Sequence, residues 1–353
     1  MVNMNNFNRD MFNIARSARG FSQADLAKRA DVTQALISKL ENGLTTDPTQ
    51  ETVFLIAKAL NFPIDFFYSN ERPLGLPPFH YRKRQKVGKR VLSKIESDIN
   101  LRRIHLSRLF KSYEVDTHKD IPVIDLEKMQ WRPSDAAQSL RGHWMVPRGP
   151  IENMTALLEN AGAVVIKIDF DTRHLEALSF RFPGIPPLIF INSKLDSGLY
   201  RFVLAHELGH LVIHNQPETD ECMEVEADEF AAEFLTPEKE IRPYLRRPSL
   251  GSLAKIKSHW KVSIKALIVR CQRLKLITPS QYTGLNVNYS KAGYARGEPF
   301  PIPPEEPCTL GNAIQFHMKE LGYSIEDMAR LLILNDDDFQ EMYTVRPLLR
   351  IIK

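Results

Sequence analysis

"RFVLAHELGHLVIH", residues 201–214, places two histidines four apart with a glutamate directly after the first. On a helix, residues four apart differ by about 40° around the axis and about 6 Å along it, so two imidazoles can converge on one ion. Leu204, Ala205, Leu208, Leu211 and Val212 fall in the opposite sector of the wheel, free to bury while His206 and His210 face a cleft. Glu207 lies on the histidine side, where a carboxylate can deprotonate a water whose pKa a metal has lowered. His214 is about 12 Å along the axis from His206, too far for one ion to grip both. It reads as a support to the site, a substrate-facing group or an exposed side chain.

Two imidazoles leave a ligand to be found on another element. "MEVEADEFAAEF", residues 223–234, predicts a helix whose apolar face is Ala227, Phe230, Ala231, Phe234 and Leu235. Glu226 lies at the margin of that face, on the side of Phe230, and is the assigned third ligand. Glu224 flanks the face nearer the helix start and is its rival. Glu229 and Glu233 read as solvated surface. Two histidines and one glutamate leave a fourth position for water, an open arrangement of the catalytic kind.

The surrounding chain supplies a sheet and further helices. "ENAGAVVIKIDF", "ALSFRF" and "PLIFINS" are rich in Val, Ile and Phe, are bounded by turn residues, and predict strands of one sheet. "GSLAKIKSHWKVSIKALIVRCQRLKLI" predicts two short helices; Trp260, Val262, Leu267 and Ile268 fit a small core better than a second DNA-reading pair. From about 140 to 290 the chain resembles the ImmA/IrrE-type metallopeptidases. "LRGHWMVPRGPIENMTALLENAGAVV", "PLIFINS", "RFVLAHELGHLVIH", "EVEADEFAAEFLTP" and the segment from Ser252 to Ile277 fall in the family's order, with "FLTP" where "LLMP" is usual. The resemblance implies a zincin-like α+β domain, Zn2+ held by His206, His210 and Glu226, Glu207 as general base, and limited proteolysis of a regulatory protein. Tyr200, Arg201 and His214 are candidates to stabilise an oxyanion.

A second pattern opens the chain. "GFSQADLAKRA" starts a helix at Ser22 with Asp25 three residues on, in the manner of a capping box. "DVTQALISKLENG" starts again at Thr33 and stops at Gly43, and "PTQETVFLIAKALNF" aligns Val53, Ile56, Ala57 and Leu60 on one face. In a helix-turn-helix the second helix enters the major groove. With Ile37 and Leu40 buried, Gln34, Ala35, Ser38 and Lys39 face outward; Gln pairs with adenine and Lys reaches guanine acceptors. Gln23, Thr33 and Asn42 complete the DNA-binding set, with Gln23 and Asn42 directed at phosphates. Arg16 and Glu41 pair with each other. Residues 8–69 resemble the lambda/434-repressor-like (XRE) DNA-binding domain, through "SQADLA", "LISKLENG" and "LIAKALN". The resemblance implies a double-stranded DNA operator and, since such readers usually dimerise, a homodimer.

Composition agrees. The chain has 353 residues, 43% hydrophobic and 25% charged, enough for more than one core. No apolar run reaches about 18 residues, so no membrane partner is expected. No secretory leader is apparent, and Cys222, Cys271 and Cys308 form no framework, which fits a cytoplasmic protein. Residues 72–111 are strongly basic within a net charge of +4, which suits a polyanion; "HYRKRQKVGKR" extends the phosphate footprint.

The expected fold class is α+β multidomain. Residues 1–70 form an all-α helix-turn-helix bundle, and 71–115 a basic linker with an amphipathic helix carrying Val91, Ile95, Ile99, Leu106 and Leu109. Residues 116–290 form the metallopeptidase domain, and 291–353 a loop and small helical tail. No internal repeat is apparent, and residues 309–345 show helical patterning without chemistry. Whether the chain cleaves itself is left open by the sequence; the Pro-rich stretches at 73–78 and 299–307 are accessible candidates for it. The expected function is a DNA-binding regulator fused to a zinc endopeptidase that cleaves a repressor-type protein. The alternatives are a transcription factor whose zincin-like domain senses or dimerises without hydrolysis, and a DNA-binding partner in toxin–antitoxin or mobile-element control.

Overall fold

The computed structural model describes residues 6–74, 87–115, 117, 119–214 and 221–343, which gather into two units. Residues 80–86 of the basic stretch and 75–78 of the first Pro-rich stretch lie outside the described residues. No described helix is long and apolar enough to cross a membrane.

The first unit takes residues up to 115, residues 170–174, and the chain from 309 onward. It is helical: α1 (Arg9–Ala18), α2 (Gln23–Ala30), α3 (Gln34–Glu41), α4 (Gln50–Leu60), a 3-10 turn at Ile64–Tyr68, and the long α5 (Lys89–Leu109). Side-chain caps set the starts, because the first amides of a helix lack intrahelical partners. Asn8 caps α1, Ser22 and Asp25 form the reciprocal capping box of α2, and Thr33 and Thr49 cap α3 and α4. One core holds these helices through Met11, Phe12, Leu26, Ala27, Ile37, Leu40, Val53, Ile56 and Leu60. Of the expected stripe on α5, Ile95, Ile99, Leu106 and Leu109 are buried and Val91 is half-buried. This helix packs within its own unit, against α1 and against Ile325–Leu332.

The second unit spans 116–169 and 175–308. Helices α6 (Pro133–His143) and α7 (Met154–Asn160) precede strands β1 (Val164–Ile168), β2 (Ala177–Phe180) and β3 (Leu188–Asn192). The strand order is β1-β3-β2, with β3 parallel to β1 and antiparallel to β2. All five residues of β3 are buried, as a central strand requires, and they are apolar up to the closing Asn192. The histidine helix α8 (Ser197–Ile213) and the acidic helix α9 (Glu221–Leu235) follow, then α10 (Leu250–Trp260), α11 (Ile264–Arg273) and α12 (Pro279–Lys291). Trp260, Val262, Leu267 and Ile268 are buried in the core of this unit.

Helix α8 differs from the amphipathic wheel expected of it. His206, Glu207 and His210 are buried together with the apolar sector. The reason is the neighbour: α9 covers the polar side of α8 with carboxylates, which pair with the imidazoles, so the polar face is enclosed rather than solvated. Buried charge recurs nearby, in three cases as ion pairs. Arg201 meets Glu305, Lys257 meets Glu298 at 3.0 Å, and Arg270 meets Glu233. Glu233, expected on the solvated face, is therefore 2% exposed; its partners Arg270 and Gln138 come from other helices.

Candidate metal centre and nucleic-acid interface

Asp196 caps α8 by accepting from the amides of Gly198 and Leu199, which fixes the helical phase of the histidines. The Nε2 atoms of His206 and His210 lie 3.0 Å apart, so both rings aim the same nitrogen at one point. Glu224 completes the group: its Oε1 is 3.3 Å from Nε2 of His210 and its Oε2 is 3.7 Å from Nε2 of His206. One ligand atom from each of the three lies within 4.8 Å of the others, a spacing able to hold a metal ion. Glu226, the assigned ligand, does not join this group. Its carboxylate bonds Nε2 of His214 at 3.0 Å. The two glutamates are two residues apart and point in different directions around α9, and the helix presents Glu224 to the imidazoles.

Gly209 explains how α9 comes so close. A Cβ at that position would stand 3.2 Å from the Phe230 ring and 3.3 Å from the backbone of Ala227. A glycine on one helix opposite an alanine on the other permits the approach that carries Glu224 to the histidines.

Each imidazole is held from behind. Nδ1 of His206 bonds Asp228 at 3.0 Å, and Arg273 in turn bonds the Asp228 carboxylate at 3.3 Å and its carbonyl at 2.9 Å. Burial pushes the Asp228 carboxyl upward, but the bonds from His206 and Arg273 outweigh it and hold it below the usual carboxylate range. Nδ1 of His210 bonds Nδ1 of His214 at 2.8 Å, and His214 bonds Glu226. Burial, helped by the neighbouring His210, holds the pKa of His214 down, which favours the neutral ring. With Nδ1–H on His206 and His210 and Nε2–H on His214, the bonds behind the rings are all made and the two facing Nε2 atoms are left bare, the form a metal ligand needs. His214 thus stands behind the ring of His210, between it and Glu226.

The Ser179 hydroxyl on β2 donates to Oε2 of Glu207 at 2.6 Å. Tyr200 and Arg201, considered for an oxyanion, are engaged elsewhere. The Tyr200 hydroxyl pairs with Thr155 at 3.2 Å, and Arg201 pairs with Glu305 in the interior. Burial raises the pKa of Tyr200 far above its ordinary value. Ser179, Asp228 and Arg273 were missed in the sequence. The one signal was Ser179 itself, a lone polar residue between Leu178 and Phe180 in an apolar strand.

At the other candidate site, Thr33, Gln34, Ala35, Lys39 and Asn42 are exposed and Ser38 is half-buried, while Ile37 and Leu40 are buried. The outward set is presented along one helix and its C-terminal end. Asn42 donates to the Ser38 carbonyl at 2.8 Å. Arg16 pairs with Glu41, as expected, and Glu41 also accepts from the Gln23 amide, so Gln23 begins tied to the fold.

Comparison with known families finds two matches, one within each unit. The description "Helix-turn-helix" matches residues 14–67, and "IrrE N-terminal-like domain", a peptidase family, matches residues 158–272. The chain is a fusion of these two domains. No curated protein matches the chain. The helix-turn-helix match covers α2 and α3 with their capped starts, and the IrrE-like match covers the sheet, both site helices and Arg273's neighbours up to residue 272.

Proposed function

We propose that the chain is a DNA-binding regulator whose second domain is a zinc-dependent endopeptidase acting on a repressor-type protein. The observation that carries the reading is the convergence of two Nε2 atoms and the Glu224 carboxylate, backed by a network with a consistent set of protons. Two nitrogens and one oxygen form a donor set suited to zinc, and three ligands leave a position open. His206, His210 and Glu224 would hold the ion; Asp228 and the His214–Glu226 pair would fix the rings that grip it. When bound, zinc polarises a peptide carbonyl and acidifies water. Glu207, oriented by Ser179, takes the proton of the attacking water and delivers it to the departing amine. Strand β2 is an edge strand among the described residues and packs beside α8, so an extended peptide can lie along it. The α3 residues Gln34, Ala35, Ser38 and Lys39 meet base edges, with Thr33, Asn42 and Gln23 at the backbone.

The test incubates purified protein with repressors encoded beside its gene, with and without a chelator. Defined fragments are expected from the untreated protein and not from the chelated one. Glu207→Gln should abolish cleavage, by about 10²–10⁴-fold, while zinc content and DNA binding persist. Cleavage that survives Glu207→Gln overturns the assignment, and stoichiometric zinc without any turnover favours a non-hydrolytic sensor.

A further inference from the structure

The chain repeats itself, although no repeat is apparent in the sequence. The first unit contains a second three-helix array, Thr309–Lys319, Ile325–Leu332 and Asp336–Tyr343, which follows α1, α2 and α3 at an offset of 302 residues. Helices α2 and α3 have eight residues each, and so do their counterparts. Ser22 and Asp25 form a capping box on α2; Ser324 and Asp327 form the same box on Ile325–Leu332. Gly20 and Gly322 precede the boxes with φ of 66° and 72°. The turn between helices is left-handed at Asp31, φ 52°, and at Ile333, φ 54°. A β-branched isoleucine pays strain in that conformation, so the turn geometry persists where the residue does not suit it. The backbone bonds coincide as well: Leu26 to Ser22 and Met328 to Ser324, Val32 to Ala27 and Leu334 to Ala329, Ile37 to Thr33 and Phe339 to Asn335. The buried positions also match, Leu26, Ala27, Ala30 and Ile37 against Met328, Ala329, Leu332 and Phe339.

The outward chemistry does not match. Where α3 opens with Gln34, Ala35 and Leu36, its counterpart opens with Asp336, Asp337 and Asp338; Lys39 corresponds to Glu341. Asp336, Asp337 and Glu341 are exposed, an anionic face that phosphates repel. Asp338 turns inward, 6% exposed, and pairs with Arg19 just after α1; Asn335 donates to Asn61 beyond α4 at 2.9 Å. Ile314, Met328, Leu332 and Phe339 share one core with α1 to α4.

We infer that residues 309–343 are a second helix-turn-helix module, retired from base reading, whose binding partner is the DNA-reading module itself, which it buttresses through Arg19–Asp338, Asn61–Asn335 and the shared core. The non-reading half of the inference rests on the DNA-binding role of α3 proposed above; the buttress does not. Two measurements on the full chain therefore separate them. In the first, duplexes are selected from a random-sequence DNA library. The double variant Asp336→Gln, Asp337→Ala, which restores the residues of α3, is expected to keep the selected sequence and an affinity within about threefold, whereas Gln34→Ala loses about tenfold. A changed consensus, or a change above threefold in the double variant, overturns the retirement. In the second, amide exchange is followed with no DNA present. Asp338→Asn is expected to speed exchange across residues 9–19 and 57–62 by about tenfold or more, since it leaves Arg19 without its buried partner. Should that variant fail to fold, Asn335→Ala removes only the bond to Asn61 and is expected to act in the same direction at residues 57–62. Unchanged exchange in those segments overturns the buttress.

Discussion

Helices α3 and α8 both carry the function proposed for their domain, and they do so in opposite ways. Helix α3 buries Ile37 and Leu40 and turns a polar face to solvent, so its chemistry is complete on one element. Helix α8 buries its polar face, and His206, Glu207 and His210 each take a partner from another element: Glu224 and Asp228 from α9, Ser179 from β2. An exposed site can be read along one helix at a spacing of three and four. An enclosed site cannot, because the low dielectric that makes its contacts strong also demands partners that sequence spacing does not reveal.

The contrast is best attacked at the glutamates. Glu224→Gln should cost zinc affinity by a factor of at least about 10³, measured by chelator competition, because it removes a ligand; Glu226→Gln should cost about 10–100-fold, because it only loosens the ring of His210 through His214. Reversal of that order would restore Glu226 as the ligand. Next in size is Gly209→Val. Its branched side chain meets Phe230 and the Ala227 backbone, so it should lower stability by about 1–3 kcal/mol in chemical denaturation and weaken zinc binding together. Normal zinc affinity in that variant would show that the close helix approach does not set the site.

On α3, Gln34→Ala and Lys39→Ala should each weaken DNA binding by about 1–3 kcal/mol, and zinc content should not change. A fall in zinc content would break the separation of the two functions. The smallest effect is expected at Asp98 on α5. Burial there, reinforced by Asp171 and opposed by Arg102 and Lys94, raises its carboxyl from 3.8 to about 6. An acid whose pKa rises on folding stabilises the fold fully below 3.8, and that contribution is lost as pH climbs through 6. Asp98→Asn should therefore gain about 1–2 kcal/mol at pH 7 and nothing at pH 4, read from thermal melts at the two values. An equal effect at both would remove the titration as its cause.

What was legible in the sequence follows the same division. The capped starts at Ser22 and Thr33, strands within "ENAGAVVIKIDF" and "PLIFINS", and the facing pair His206 and His210 are local patterns that the structure contains, although the first of those strands begins only at Val164, after the helix that ends at Asn160. The choice between Glu224 and Glu226 was not local. Both flank the apolar face of α9, and only the rotation of that helix, which sets its Ala227 against Gly209 of α8, selects one. Glu233 shows the same limit: its burial depends on Arg270, 37 residues away. The C-terminal repeat was hidden for a further reason. Only Gly322, Ser324, Asp327 and Ala329 match their counterparts in type, because a helix-turn-helix needs just a turn, a cap and a small buried contact to keep its shape.

By itself the sequence determined the period, the caps and the spacing of the two facing histidines, since each depends on residues within a turn or two of one another. The tertiary structure alone decided which carboxylate faces the imidazoles, which groups hold those rings from behind, and that the last helices pack beside the first. Those outcomes depend on the distance and rotation between packed elements, and the energies that set them come from side chains far apart along the chain.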